Sequence, residues 1–166
     1  MAQMKLCISP LKSLYWQLKE TDEEEKTRIA AVISTSGELP DPSKLRGISY
    51  ICRQYRDIDV EGPGSFSVHD AACIAEFLRS LAPSVNVLIL CCDAAISRSP
   101  AVAAAIARYL GQDDEKLVWK NPAYAPNMLV FRTLCQELRV PVDDEICDRL
   151  FYENRQAFKN AIKKKK

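Results

Sequence analysis

The feature that most limits the fold of this chain is an apolar strand pattern followed closely by an alanine-rich helix pattern. The run Val85–Leu90 is apolar except for one asparagine, which is typical of a buried strand in a parallel sheet. The segment Pro100–Leu110 has the composition of a helix and is followed by Gly111, a residue type that often ends helices. We therefore predict a strand, a loop over Cys91–Ser99 and a helix in direct succession.

Other strand and helix patterns alternate along the chain. This alternation predicts an α/β fold with a central, mainly parallel sheet flanked by helices. The helix after the loop is expected to have Ser99 as its N-cap and Pro100 as its first residue. Further strands are predicted at Met4–Ile8, Ile29–Ile33 and Ile48–Tyr55, and further helices at Leu11–Leu18, Val68–Leu81 (with Ser67 as N-cap), Asn127 to about Leu138, and about Asp143–Lys159.

Length and charge limit the class of protein. A chain of 166 residues suits one domain, predicted over residues 1–160, with a basic, disordered tail at 161–166. It has 23 basic and 22 acidic residues, and without the terminal lysines the acidic residues are in excess. We therefore expect no nucleic-acid partner. The N-terminal segment lacks the apolar core of a signal peptide, and no segment is long enough to cross a bilayer, which predicts a cytoplasmic protein without a membrane partner.

The cysteines are expected to be reduced thiols. There are seven, an odd number without regular spacing, which does not suit a disulfide framework in a cytoplasmic protein. The chain has one histidine and no C-x-x-C pair, so a zinc site is not expected either.

The loop between the strand and the helix, Cys91–Ser99, is called the cysteine loop below and has the composition of an anion-binding reaction centre. Ligands bind at the carboxyl ends of strands in open α/β sheets, and a helix N-terminus offers backbone N–H groups and partial positive charge. This environment favours the thiolate form of Cys92 and makes it a candidate nucleophile. Arg98 is the candidate clamp for two oxygens of a phosphoryl group. The predicted phosphate-binding positions are Asp93, Ala94, Ala95, Ile96, Ser97 and Arg98.

Phosphoryl transfer to a thiolate also needs a proton donor for the leaving oxygen. Asp57 and Asp59 are the candidates, because both follow a predicted strand whose carboxyl end would face the same crevice. The same carboxyl group would later activate the water that hydrolyses a phosphocysteine. Ser99 is the candidate hydrogen-bond donor to the thiolate that leaves at that step.

Three segments resemble, in order, the marks of a known family. CCDAAISRSPAVAAAI is similar to the dual-specificity and tyrosine phosphatase signature H-C-x-A-G-x-S-R-S. Together with RQYRDID and NPAYAPNMLVFRTL, it resembles a small prokaryotic group of predicted protein tyrosine phosphatases. The resemblance covers nearly the whole chain except the tail.

The resemblance implies a single phosphatase domain that acts through a phosphocysteine intermediate, without a metal or an organic cofactor. It carries the nucleophile onto Cys92, the phosphate-binding arginine onto Arg98 and the leaving-group serine onto Ser99. RQYRDID, residues 53–59, matches the family's acid-loop motif and is called the acid loop below. This match favours Asp57 over Asp59 as the general acid. Asn127 matches the family's proline-asparagine motif, and this implies that its side chain supports the loop.

Two positions depart from the family pattern. Cys91 stands where the family has a histidine, and Ala95 stands where it has the loop glycine. The histidine orients the loop, so its loss is expected to make the thiolate harder to form. The glycine allows a positive φ, which would cost alanine about 1 kcal/mol or more.

The pattern leaves three functions open. The leading hypothesis is hydrolysis of phosphate monoesters, of phosphotyrosine or dual-specificity type, with a phosphorylated protein or a small phosphomonoester as substrate. The alternative is a pseudophosphatase that binds phosphate or phosphopeptides without turnover because of Cys91 and Ala95. A sulfurtransferase of rhodanese type fits less well, because it does not explain the S-R-S continuation or the acid loop. The pattern does not predict an oligomeric state.

Overall fold

The computed structural model describes residues 3–24 and 29–166. Its sheet is all-parallel, with strand order β1-β4-β2-β3. The predicted α/β fold class is therefore confirmed. The strands are β1 Lys5–Pro10, β2 Ile29–Ser34, β3 Ser49–Cys52 and β4 Val85–Cys92.

Helices cover both faces of this sheet. Short 3₁₀ turns at Leu11–Ser13 and Pro42–Leu45 and a π-helical turn at Glu115–Trp119 complete the described elements. The α-helices are α1 Leu14–Glu24, α2 Val68–Ser80, α3 Arg98–Tyr109, α4 Met128–Glu137 and α5 Asp144–Lys164.

The two faces of β4 contact different helices. Leu88 and Leu90 belong to the larger core cluster, which includes residues of α2, α3 and α4. Ile89 and Cys91 belong to a smaller cluster, which includes Leu14 of α1. Because successive strand residues point to opposite faces, the next residue, Cys92, points toward the α3 side.

The alanine-rich composition of α3 brings this helix close to the sheet. Every residue from Ser99 to Ala107 is buried, and small side chains allow the helix backbone to approach the strands closely. Because all four strands are parallel, the loops that follow β2, β3 and β4 leave the sheet at the same edge. The N-terminus of α3 is therefore held beside this edge.

Several predicted boundaries are wrong. Helix α3 begins at Arg98, so Ser99 is not its N-cap and Pro100 is its third residue. The first turn of a helix tolerates proline at more than one position, because its N–H groups have no intrahelical acceptor. Strand β3 stops at Cys52, and the side chain of Arg53 instead binds Asp70 of α2 at 2.6–2.8 Å.

The C-terminal helix is longer than its pattern indicates. It continues through Lys164, so residues 161–164 are helical and the prediction of a disordered tail is wrong for them. Among the described residues, no helix has the length and apolar character needed to cross a membrane. The cytoplasmic location and the single domain over 1–160 stay predictions.

Candidate active site

Cys92 is the last residue of β4, and its side chain lies at the N-terminus of α3. The residue is 2% exposed. Ser99, in the first turn of α3 and fully buried, donates a hydrogen bond from its Oγ to the Cys92 Sγ at 3.1 Å. The start of α3 therefore places a hydroxyl donor on the sulfur, in the geometry needed to stabilise a thiolate.

The side chain of Arg98 folds back over this loop. Its Nη1 donates to the carbonyl oxygen of Tyr55 at 3.3 Å, and its Nη2 pairs with the Asp93 carboxylate. Its Nε is buried and has no hydrogen-bond partner among residues 3–24 and 29–166. A buried N–H without a partner is costly, so this atom is a donor available to a bound anion.

Asp57 contacts the cysteine loop directly. Its Oδ1 accepts hydrogen bonds from Ser97 Oγ at 2.9 Å and from Asn127 Nδ2 at 2.9 Å. In the part of the chain that the structure describes, its Oδ2 accepts none, and Asp59 makes no hydrogen bond to the loop. Of the two candidate acids, Asp57 is therefore the one next to the loop.

Asp57 reaches the loop from a strand that is not next to β4. Strand β2 lies between β3 and β4, so the chain after β3 must pass the end of β2 to reach the loop after β4. Residues 53–57 leave the sheet and bring Asp57 to Ser97. The Ser97 hydroxyl is used in this bond, and consistent with that, Ser97 occupies the N-cap position of α3 without a side-chain cap.

Asn127 connects both loops to the start of α4. It is fully buried, and its Oδ1 caps this helix by accepting from Val130 N at 3.1 Å. Its Nδ2 donates to Asp57 and to the Ile58 carbonyl oxygen, while its backbone N–H donates to the Ser97 carbonyl oxygen at 3.2 Å. One side chain thus holds the acid loop, and one N–H holds the cysteine loop.

The loop backbone has a positive φ at the position of the missing glycine. Ala95 has φ 56° and is 8% exposed. Its neighbours Ala94 and Ile96 have exposed side chains, and the Ile96 carbonyl oxygen accepts from Ala125 N at 2.8 Å. The loop therefore keeps the backbone shape that glycine would allow, at an energetic cost to alanine.

We expect Ala95→Gly to raise the free energy of unfolding by about 0.5–1 kcal/mol, because it removes this strain. Urea unfolding measures the change. The matched control is Arg139→Gly, an exposed residue with the same φ of 56° outside the loop, which should be stabilised similarly. Stabilisation at 139 combined with destabilisation at 95 would contradict strain at Ala95.

Cys91 is a core residue. It is 0% exposed, and burial raises the pKa of its thiol to about 11. It packs in the α1-side cluster, on the opposite face of β4 from Cys92. The Cys91 side chain therefore points away from the face that carries Cys92, and Cys91 is a buried neutral thiol at the end of β4.

Two partners of Arg98 were not anticipated from the sequence. Asp93 was predicted only as a loop position that contributes to phosphate binding, yet its carboxylate pairs with the guanidinium. Tyr55 contributes a backbone carbonyl, for which its side-chain type gives no signal. Its buried ring packs on Phe66 with centroids 4.7 Å apart, and burial raises the pKa of its hydroxyl. This packing keeps the carbonyl within reach of Arg98.

Comparison with known proteins gives limited further information. No family model matches the chain, and no curated protein sequence matches it significantly. Two solved structures are similar over most of their length. The crystal structure of Tk-PTP in the active form has TM-score 0.46 and 15% identity, covering 94% of this chain and 95% of that one. The crystal structure of PTPMT1 in complex with PI(5)P has TM-score 0.43 and 14% identity, covering 95% and 94%. Both TM-scores are below 0.5, so neither similarity decides the chemistry of this chain.

Proposed function

We propose that this protein is a cysteine-dependent phosphatase that hydrolyses phosphate monoesters through a phosphocysteine intermediate. One observation carries the proposal: a buried cysteine with a hydroxyl donor on its sulfur and a carboxylate from a distant loop both lie at the N-terminus of α3. The helix dipole and the guanidinium of Arg98 favour an anion at this place.

The first step transfers the phosphoryl group to Cys92. The sulfur attacks phosphorus, the bond to the ester oxygen breaks, and Asp57 gives its proton to the leaving oxygen. Oδ2 suits this transfer, because Oδ1 already accepts from Ser97 and Asn127. The Nε and Nη2 groups of Arg98 bind two phosphoryl oxygens and stabilise the charge of the transition state.

The second step releases phosphate. Asp57, now ionised, takes a proton from the water that attacks phosphorus, and the sulfur leaves as a thiolate. Ser99 stabilises that thiolate through the hydrogen bond of 3.1 Å to the sulfur. The cycle consumes one ester and one water and yields one alcohol and one phosphate.

The rim of the site supports an aryl phosphate, such as phosphotyrosine, as the substrate. Ile96, in the loop between Cys92 and Arg98, is 38% exposed. Arg98 is the loop's only basic residue, which disfavours highly charged inositol phosphates. An exposed apolar side chain beside a phosphate site suits the ring of an aromatic ester.

The test is hydrolysis of p-nitrophenyl phosphate by the purified chain, with inhibition by orthovanadate. Alkylation by iodoacetate should modify Cys92 first, and inorganic phosphate should protect it. Peptide mapping identifies the modified residue, with half-buried Cys73 as the internal reference. A chain that binds phosphate but never releases p-nitrophenol would instead be the pseudophosphatase.

Separate substitution of the two candidate acids distinguishes them. Asp57→Asn should lower kcat by about 10²–10³, because the leaving oxygen loses its proton donor. Asp59→Asn is the matched control on the same loop, and it should keep kcat within about threefold of the wild type. A larger decrease of kcat in Asp59→Asn would identify Asp59 as the general acid instead.

A further inference from the structure

The Asp93 carboxylate places a negative charge at the rim of a site that is proposed to bind an anion. It pairs with Arg98 Nη2 and also accepts from the backbone N–H of Gly37 at 3.1 and 3.3 Å. Gly37 belongs to the loop that follows β2, so this carboxylate bridges two loops at the edge of the sheet. The proposed chemistry assigns it no step.

Asp93 and a phosphoryl group would compete for the same cation. The Arg98 side chain is 11% exposed, whereas that of Asp93 is 47% exposed. A bidentate grip on phosphate through Nε and Nη2 uses the nitrogen that now binds Asp93. Because two anions on one guanidinium repel each other, binding of a phosphoryl group weakens the hold of Arg98 on Asp93.

A cleft beside the loop offers the displaced carboxylate a second partner. Asp93 lines this cleft, which has a volume of about 540 Å³. Among the described residues that line it, Glu38 and Asp41 are also acidic and Lys12 is basic, and the Lys44 ammonium lies over the ring of Tyr15 at 4.5 Å. Leu11, Tyr15 and Leu39 provide apolar surface. The cleft therefore suits a side chain with an aliphatic stem and a positive end, as in lysine or arginine.

We propose that Asp93 exchanges partners when substrate binds, from Arg98 to a basic side chain beside the phosphorylated residue, and so selects basic phosphopeptides. This inference rests on the proposed function, since it specifies the substrate class of the same site. When the substrate brings no basic group into the cleft, Asp93 stays paired with Arg98 and opposes binding of the phosphoryl group. When the substrate does bring one, the new ion pair with Asp93 offsets the free-energy cost of separating Asp93 from Arg98.

The first experiment measures binding of inorganic phosphate by calorimetry and needs no turnover. Asp93→Asn should bind phosphate about five- to tenfold more tightly than the wild type, because a competing anion is removed. The matched control is Asp144→Asn, which removes the same charge from an exposed ion pair with Arg132 outside the site, and its affinity should be unchanged. Unchanged or weaker binding in Asp93→Asn would mean that Asp93 orients Arg98 instead.

The second experiment compares two phosphotyrosine peptides that differ only in lysine or glutamate next to the phosphorylated residue. Binding is measured on Cys92→Ser, so that hydrolysis does not interfere. The lysine peptide should bind about tenfold more tightly, and Asp93→Asn in the same background should remove most of this preference. Glu38→Gln should reduce the preference without changing the affinity for inorganic phosphate.

The outcomes separate the two proposals. Equal binding of the two peptides, or a preference that survives Asp93→Asn, would overturn the exchange of partners even if the wild type is an active phosphatase. An inert wild type with the expected peptide preference would overturn only the catalytic proposal. The site would then bind basic phosphopeptides without hydrolysing them.

Discussion

Cys92→Ser is expected to lower kcat for p-nitrophenyl phosphate by at least about 10⁴, while the protein stays folded and still binds phosphate. A serine hydroxyl holds its proton at neutral pH, and its oxygen is a far weaker nucleophile than a thiolate. The change is close to isosteric at a residue that is 2% exposed, so the melting temperature should move little. Steady-state kinetics and calorimetry with inorganic phosphate provide the two readouts.

The control for Cys92→Ser is the same substitution at Cys73, a half-buried thiol on α2. Its kinetics should match those of the wild type. Rapid quenching of a wild-type reaction should also trap one phosphoryl group per chain on Cys92, and the variant should trap none. A Cys92→Ser protein with a tenth of the wild-type kcat would refute the nucleophile.

Arg98→Lys is expected to lower kcat/KM by about 10²–10³. Lysine keeps the charge, but it cannot hold two phosphoryl oxygens and the Tyr55 carbonyl oxygen in one planar arrangement. The loss should appear in both KM and kcat, because the arginine contacts phosphate in the ground state and in the transition state. Kinetics with p-nitrophenyl phosphate separate the two parameters.

Arg132→Lys is the matched control for this substitution. Arg132 also pairs with carboxylates, those of Asp144 and Asp148, but on helices α4 and α5 away from the cysteine loop. Its replacement should leave kcat/KM within about twofold of the wild type. An equal loss in the two variants would indicate a general effect of removing an arginine ion pair.

Local patterns were enough to predict the parts of the site that are close in sequence. A strand pattern, a short loop and an alanine-rich helix determine where Cys92, Arg98 and Ser99 lie relative to each other, since few residues separate them. The start of α4 near Asn127 was also predictable, because a helix start depends on the few residues that follow it. The predicted α/β class follows from the same local signals.

Contacts between distant segments were not predictable in this way. The order of the strands decides which loops meet, and no local pattern shows that β2 separates β3 from β4. The bond of Ser97 to Asp57 and the carbonyl of Tyr55 on Arg98 depend on that order. The start of α3 was misplaced because Ser97, Ser99 and Pro100 all have the character of a helix start, and the tertiary partner of Ser97 decides among them.

The alanine at position 95 shows what determines the shape of the cysteine loop. A loop that relied on glycine would lose its shape when the glycine is replaced, but this one holds Ala95 at φ 56°. The backbone N–H groups of Ala125 and Asn127 bind the carbonyl oxygens of Ile96 and Ser97, and these bonds from outside the loop hold its backbone in this conformation. Replacement of Ala125 by proline, which removes the N–H that binds the Ile96 carbonyl oxygen, should therefore distort the loop more than substitutions at the loop's own exposed positions.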